Sequence, residues 1–181
     1  AKQPSDYGAG WNSALVDNFV EDLFIDYRHF DKNGIAPRYE FGYGLSYTTF
    51  NYSGLAVSVS ATAGPSNGPI VPGGAEELFQ SVGTISVIVE NTGEVAGAEV
   101  AQLYLGLPDS VLSTPPKQLR GFQKLNLQPG EQGTATFELT RRDLSYWDVQ
   151  TQKWVVPSGT FTVYVGASSR DIHGEGKFTV A

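Results

Sequence analysis

Seven short stretches of this chain alternate apolar and polar residues with a period of two, and turn-forming residues separate them. Leu55, Val57 and Val59 alternate with small polar residues, Ile85, Val87 and Val89 do the same across GTISVIVEN, and Leu103 and Leu105 continue the pattern in EVAQLYLGL. Gln118 to Leu125, Thr134 to Leu139, Phe161 to Val165 and Lys177 to Val180 complete the set. Successive side chains of a strand point to opposite faces, so each stretch predicts a half-buried strand. Asn91-Thr92-Gly93-Glu94, Gln128-Pro129-Gly130-Glu131 and Pro157-Ser158-Gly159 supply turns between them. Residues 61–77 (ATAGPSNGPIVPGGAEE) hold too much Gly, Pro and Ala for a strand to persist, which predicts a long surface loop, and the Pro-bounded residues 107–116 predict a second.

Seven short strands without a convincing helix describe an all-β, seven-stranded sandwich of the fibronectin III or immunoglobulin kind, and the absence of any Cys pair favours the former. At 181 residues the chain falls short of the roughly 250 that a (β/α)8 barrel needs. The first fifty residues have another texture. Val16 to Phe24 offers apolar spacing for one or two amphipathic turns, and an aromatic-rich, glycine-punctuated run follows, with Tyr27, Phe30, Tyr39, Phe41, Tyr43, Tyr47 and Phe50. Disordered linkers are poor in aromatics, so this run predicts an ordered strap lying over a surface. The expected division is 1–50 as linker and docking strap and 51–181 as sandwich.

The net charge of −7, with no basic cluster beyond Arg141-Arg142, argues against a nucleic-acid partner. Apolar runs are far too short to span a bilayer, and no signal peptide is visible. Without methionine the numbering cannot begin at a translation start, so the chain is expected to be a piece of something longer. The absence of Cys excludes thiolate metal sites, and the isolated His29 and His173 do not make a zinc site, so neither a metal nor a cofactor is expected.

No motif carries chemistry. Glu21, Asp22, Asp26, Asp31 and Glu76-Glu77 could in principle supply a pair of glycosidase carboxylates, but they read as solvated surface charge. FGYGLS lacks the third glycine of a phosphate loop, so Gly42 and Gly44 read as tight backbone passage. Asn51-Tyr52-Ser53 is the one N-glycosylation sequon, and the first strand is expected just after it, near Gly54-Leu55. Of the three tryptophans, Trp11, Trp147 and Trp154, the latter two flank a turn at Asp148 to Lys153. With Tyr146 they form either rim packing or an exposed aromatic binding surface, with two rings on one face of a hairpin.

A linker-like segment and four separated motifs carry a resemblance beyond this pattern. FIDYRHFDKNGIAPRYEFGYGLSYTTF (residues 24–50) is similar to the linker that enters the C-terminal fibronectin III-like domain of glycoside hydrolase family 3, the fungal β-glucosidases above all. The likeness continues through VENTGEVAGAEVAQLYLGLP, KQLRGFQKLNLQPGE, LTRRDLSYWD and GTFTVYVGASSRDI. The resemblance implies a non-catalytic module, since the family's nucleophile and acid/base lie in domains this sequence does not contain. It further implies packing on the catalytic domains of the same parent chain and an extracellular, secreted setting in which Asn51 carries a glycan. In some fungal members it implies contact with lignin or polysaccharide of the plant cell wall.

Overall fold

A computed structural model of the chain describes residues 18–111 and 113–181. In chain order the strands are β1 (Phe50–Val59), the two-residue β2 (Gly64–Pro65), β3 (Ile70–Val71) and β4 (Gly74–Ala75), then β5 (Ser81–Asn91), β6 (Gly97–Gly106), β7 (Gln118–Leu127) and β8 (Gln132–Thr140). A short hairpin of β9 (Tyr146–Asp148) and β10 (Lys153–Val156) precedes β11 (Gly159–Gly166) and β12 (Ile172–Val180). Two antiparallel sheets, β1-β5-β8 and β12-β11-β6-β7, form the sandwich, and their seven strands are those that the alternation predicts. The core is built from the inward residues of both: Ile85, Val87 and Val89 of β5 and Phe137 and Leu139 of β8 meet Leu103 and Leu105 of β6 and Phe161, Val163 and Val165 of β11.

Four expectations need correction. Two short helices are present, α1 (Tyr27–Lys32) and α2 (Arg141–Leu144), the first lying after the predicted amphipathic turns. Val16 of that prediction, like Trp11, lies outside the described residues. Residues 19–24 form turns, and Phe19 and Val20 face solvent, so their apolar spacing buries nothing within this chain. The first strand starts at Phe50 rather than after the sequon: Phe50 and Tyr52 already pack on the core, which puts Asn51 on the outer face opposite Glu90. Gly54, expected at the entry to the first strand, sits at φ 62° beside a bulge between Ser53 and Ala56, inside the strand.

The segment 61–77 is also more structured than its composition suggests. Gly64-Pro65 pairs with Val155-Val156, and β3 pairs with β4. The cause is Arg141, whose buried guanidinium donates from Nε to Ser66 Oγ at 3.0 Å, from Nη1 to the Thr62 carbonyl at 2.9 Å and from Nη2 to the Gly64 carbonyl at 2.8 Å. One charged side chain from α2 therefore organises a backbone run that has little side-chain packing of its own.

Asp31 was read as solvated, yet its side chain is only 8% exposed. It takes Lys117 Nζ at 3.2 Å and Arg170 Nη2 at 3.1 Å, which removes it from the free surface charges and makes it the tie between strap and sandwich.

Candidate functional site

The outer face of β6 explains where the strap goes. From Ala101 to Gly106 this strand is buried on both sides, although only one side faces the core. Gln102 and Tyr104 point outward, and the strap covers them. Tyr27 stacks on Phe41 at 4.5 Å and meets the Tyr104 ring edge-on at 6.1 Å, while its hydroxyl accepts the N–H of Leu119 at 2.9 Å. Gln102 Nε2 donates to the carbonyls of Gly42 and Ala167, and its Oε1 accepts the Tyr104 hydroxyl at 2.6 Å. Ser169 N–H donates to the Phe41 carbonyl at 2.9 Å and Arg170 Nη2 to that of Ile35 at 2.7 Å. Burial pushes the Tyr27 and Tyr104 phenols up. Gly42 has φ 82°, and a Cβ there would collide with the Gln102 amide, so the tight passage read from FGYGLS is real at this glycine. At Gly44 a Cβ would meet nothing.

The aromatic residues of the strap divide between two sides. Tyr27 faces inward with the partly exposed Phe41 stacked on it, and Phe30 shares a small cavity with Asp31, Tyr39 and Arg170. Tyr39 is 67% exposed and lies 5.6 Å from the half-exposed Tyr43, and beyond them Leu45 is 89% and Tyr47 fully exposed. Phe41 to Ser46 form one wall of a groove of about 500 Å³ whose other wall holds Val100, Leu119 and Phe122. These exposed apolar side chains form one run, braced from behind by ion pairs and carbonyl bonds.

The hairpin carries the second candidate. Trp147 and Trp154 are register partners with rings 5.7 Å apart at 68°, so both occupy one face. Trp147 is 44% exposed, whereas Trp154 is half-buried under the Arg142 guanidinium, 5.8 Å from its ring. Tyr146 pairs with Val155, and all three aromatics border a cavity of about 740 Å³. Asn51 is exposed on β1.

Sequence reasoning missed a polar cluster at the end of the sandwich where β11 stops short of β6. Tyr52 of β1 donates to Glu99 Oε1 of β6 at 2.7 Å and stacks on His173 of β12 at 4.5 Å, and His173 Nε2 lies 3.2 Å from Asp171 Oδ1. Burial raises Glu99 above the usual carboxylate range, although the Tyr52 hydroxyl bond opposes it. The sequence signal was its parity in EVAQLYLGL: Glu99 shares the inward face with Ala101, Leu103 and Leu105, where a carboxyl needs a partner. Among the described residues no group of three or more His, Asp or Glu is placed to hold a metal ion, and no helix is long and apolar enough to cross a membrane.

The three- and four-stranded antiparallel sheets packed face to face define a sandwich of the fibronectin III kind. The family model for a fibronectin type III-like domain matches residues 99–169. The chain is 72% identical over 180 residues, 99% of its length, to a probable β-glucosidase L of Neosartorya fischeri, of which it covers 24%. It superimposes with a TM-score of 0.91 and 61% identity on the β-D-glucoside glucohydrolase of Trichoderma reesei, covering 100% of this chain and 26% of that one. A glycoside hydrolase family 3 β-glucosidase of Neurospora crassa gives a TM-score of 0.80 at 30% identity, over 88% of this chain and 28% of that one. Residues 99–169 thus match a fibronectin type III-like domain, and the chain as a whole is similar to about a quarter of the length of the β-glucosidases it matches.

Proposed function

We propose that this chain is the C-terminal module of a secreted β-glucosidase that releases terminal β-D-glucosyl residues from cello-oligosaccharides in cellulose degradation, and that it stabilises the catalytic domains by docking on them. Residues 1–50 act as linker and strap, with Tyr27, Phe30, Tyr39, Phe41 and Tyr43 as its aromatic elements, and residues 51–181 act as the sandwich. The observation that carries this reading is the two-sided strap: Tyr27, Asp31 and Gln102 fasten it inward, and Tyr39, Tyr43, Leu45 and Tyr47 are left apolar and outward on one continuous segment. Fully exposed aromatics in a rigid segment cost solubility unless something covers them. The test is the parent enzyme carrying Leu45→Ser and Tyr47→Ser. Both side chains are exposed in the module, so its own melting should stay unchanged while the catalytic domains melt earlier. Unaltered melting of the whole enzyme would refute docking through the strap.

A second reading, adsorption to lignin or cell-wall polysaccharide through Tyr146, Trp147 and Trp154, is favoured by the exposure of Trp147. With a net charge of −7 such adsorption would rest on stacking rather than on attraction to an anionic surface. Trp147→Ala should then lose adsorption without losing stability, because Trp154 supplies the packed half of the pair. Retained adsorption in a folded Trp147→Ala variant removes this surface from consideration.

A further inference from the structure

Where the strap crosses the turn between β11 and β12, the two enclose a cavity of about 340 Å³, within the range of about 300–1,000 Å³ in which small-molecule pockets fall. Four aromatic rings line it, Tyr27, Phe30, Tyr39 and Phe41, the first and last stacked at 4.5 Å and 19°. Asp31 and Arg170 line it too but are engaged elsewhere. Arg170 donates from Nε to Asp31 Oδ1 at 3.2 Å and from Nη2 to the Ile35 carbonyl at 2.7 Å, and Asp31 Oδ2 meets Lys117 Nζ at 3.2 Å. Three other polar groups of the lining are uncommitted. Ser169 is 1% exposed, and its buried hydroxyl has no hydrogen-bond partner. Asp26 opens α1, yet its carboxylate makes none of the capping bonds that Asp ordinarily makes there. Arg38 is exposed, and among the described residues the ion pairs are made by Lys117, Arg170 and His173 instead.

The two carboxylates of the lining, Asp26 and Asp31, are matched by the two guanidiniums of Arg38 and Arg170, so the cavity favours neither an anion nor a cation. An apolar occupant would leave the Ser169 hydroxyl unpaired at the cost of a buried polar group without a partner. A phenol would bring one hydroxyl to three separate polar groups. A pyranose meets all of these demands, because its C–H faces are apolar and each hydroxyl on its rim both donates and accepts. We propose that this cavity binds a neutral pyranose, the glucosyl unit of a β-glucoside, with a sugar face on the aromatic wall and its hydroxyls on Ser169, Asp26 and Arg38. The choice of glucose rests on reading the parent as a β-glucosidase, and the Trichoderma reesei protein on which the chain superimposes is named a β-D-glucoside glucohydrolase. A module that holds this sugar raises its effective concentration for the domains joined to it.

The experiment is saturation-transfer NMR of this chain with methyl β-D-glucopyranoside as the probe. Transfer to the C–H protons of the sugar is the expected result. Ser169→Ala removes a hydroxyl that has no partner to lose, so melting should hold or rise while binding weakens about tenfold, the worth of one hydrogen bond. Tyr39→Ser, at an exposed position, should also keep the fold and lose most of the transfer. Undiminished transfer in both variants overturns the proposal, as does transfer that is lost only in Trp147→Ala, which would place the sugar on the hairpin. Coniferyl alcohol is the competing probe: its binding, with none for the glucoside, assigns the cavity to planar aromatics and overturns the proposal. A second arm labels Tyr39 of the full-length enzyme with hydroxyl radicals. Labelling that the glucoside suppresses supports an open site, whereas Tyr39 shielded with and without the sugar means that the catalytic part fills the cavity, and the proposal fails. Cellobiose hydrolysis by the full-length enzyme separates the two readings. Hydrolysis without transfer to this chain refutes the site alone, and variant-sensitive transfer without hydrolysis upholds the site and refutes the reading of the parent.

Discussion

Arg141 illustrates how far one side chain can reach beyond its own element. Its guanidinium is buried among neutral acceptors, the carbonyls of Thr62 and Gly64 and the Ser66 hydroxyl, so charge and dipoles together fix the run from 61 to 77. Arg141→Ala should cost about 3 kcal/mol, since it leaves several buried acceptors without a donor. Urea unfolding of the chain would measure this, and a loss below 1 kcal/mol would mean that the carbonyls find other partners. Glu99 gives a prediction of the opposite kind. Its folded pKa is raised, mainly by burial, so the protonated carboxyl favours the fold. The stability it contributes is fully present below the ordinary Glu pKa of about 4.3 and is lost as pH rises through the higher folded value. Tyr52, His173 and Asp171 face it, and Lys124 shares the groove on its β7 side. The chain should therefore melt at a lower temperature at neutral than at mildly acidic pH, and Glu99→Gln should flatten that part of the profile. An unchanged profile in the variant would assign the pH effect to other groups. Arg141 was not legible, being half of a surface-looking Arg pair whose burial by distant segments leaves no local mark, whereas Glu99 shares the inward parity of Leu103 and Leu105, and only its partners Tyr52 and His173 were invisible in the sequence.

At the level of elements, the strands were legible and the connections were not. The period of two at Ile85-Val87-Val89 and Phe161-Val163-Val165 is imposed by one buried face, and that face is the same wherever the strand sits in the sandwich. β6 shows the limit: Leu103 and Leu105 declare its inner face, but Gln102 and Tyr104 are equally buried because the strap lies on them. The capping box at Thr140-Arg141-Arg142-Asp143 was the readable signal for α2 that the strand pattern masked. Asp143 Oδ2 accepts from the Thr140 N–H at 2.8 Å. Asp143→Ala should destabilise the chain by about 1 kcal/mol by freeing that N–H, and should also disturb the hairpin that α2 introduces. Near-UV circular dichroism of Trp147 and Trp154, whose rings meet at 5.7 Å, reports the second effect. An unaltered aromatic signal with unaltered stability would mean that the hairpin holds itself.

The strap was the part of the candidate site most visible in the sequence, because seven aromatics without periodicity in residues 27–50 do not suit a solvated linker. Which of them face inward was not visible, since the choice depends on where β6 leaves its outer face uncovered. That geometry makes strap and sandwich one folding unit. Removing residues 1–49 would retain all seven sandwich strands and the core between them, so the truncated chain should still fold. It would also uncover Tyr104, now fully buried, leave Gln102 without the Gly42 carbonyl and strip Lys117 and Arg170 of Asp31. Uncovering one large aromatic and breaking a part-buried ion pair and a buried amide bond should together cost about 3–5 kcal/mol, less than the core supplies and more than surface changes do. The truncated chain should thus melt well below the complete one and bind an apolar dye that the complete chain binds weakly. If the two chains melt together, the strap is a passenger on β6, and its aromatics belong wholly to whatever partner covers their outer side. If the truncated chain fails to fold even at low temperature, the strap is part of the core rather than a brace, and Tyr104→Ser in the complete chain should then be equally damaging.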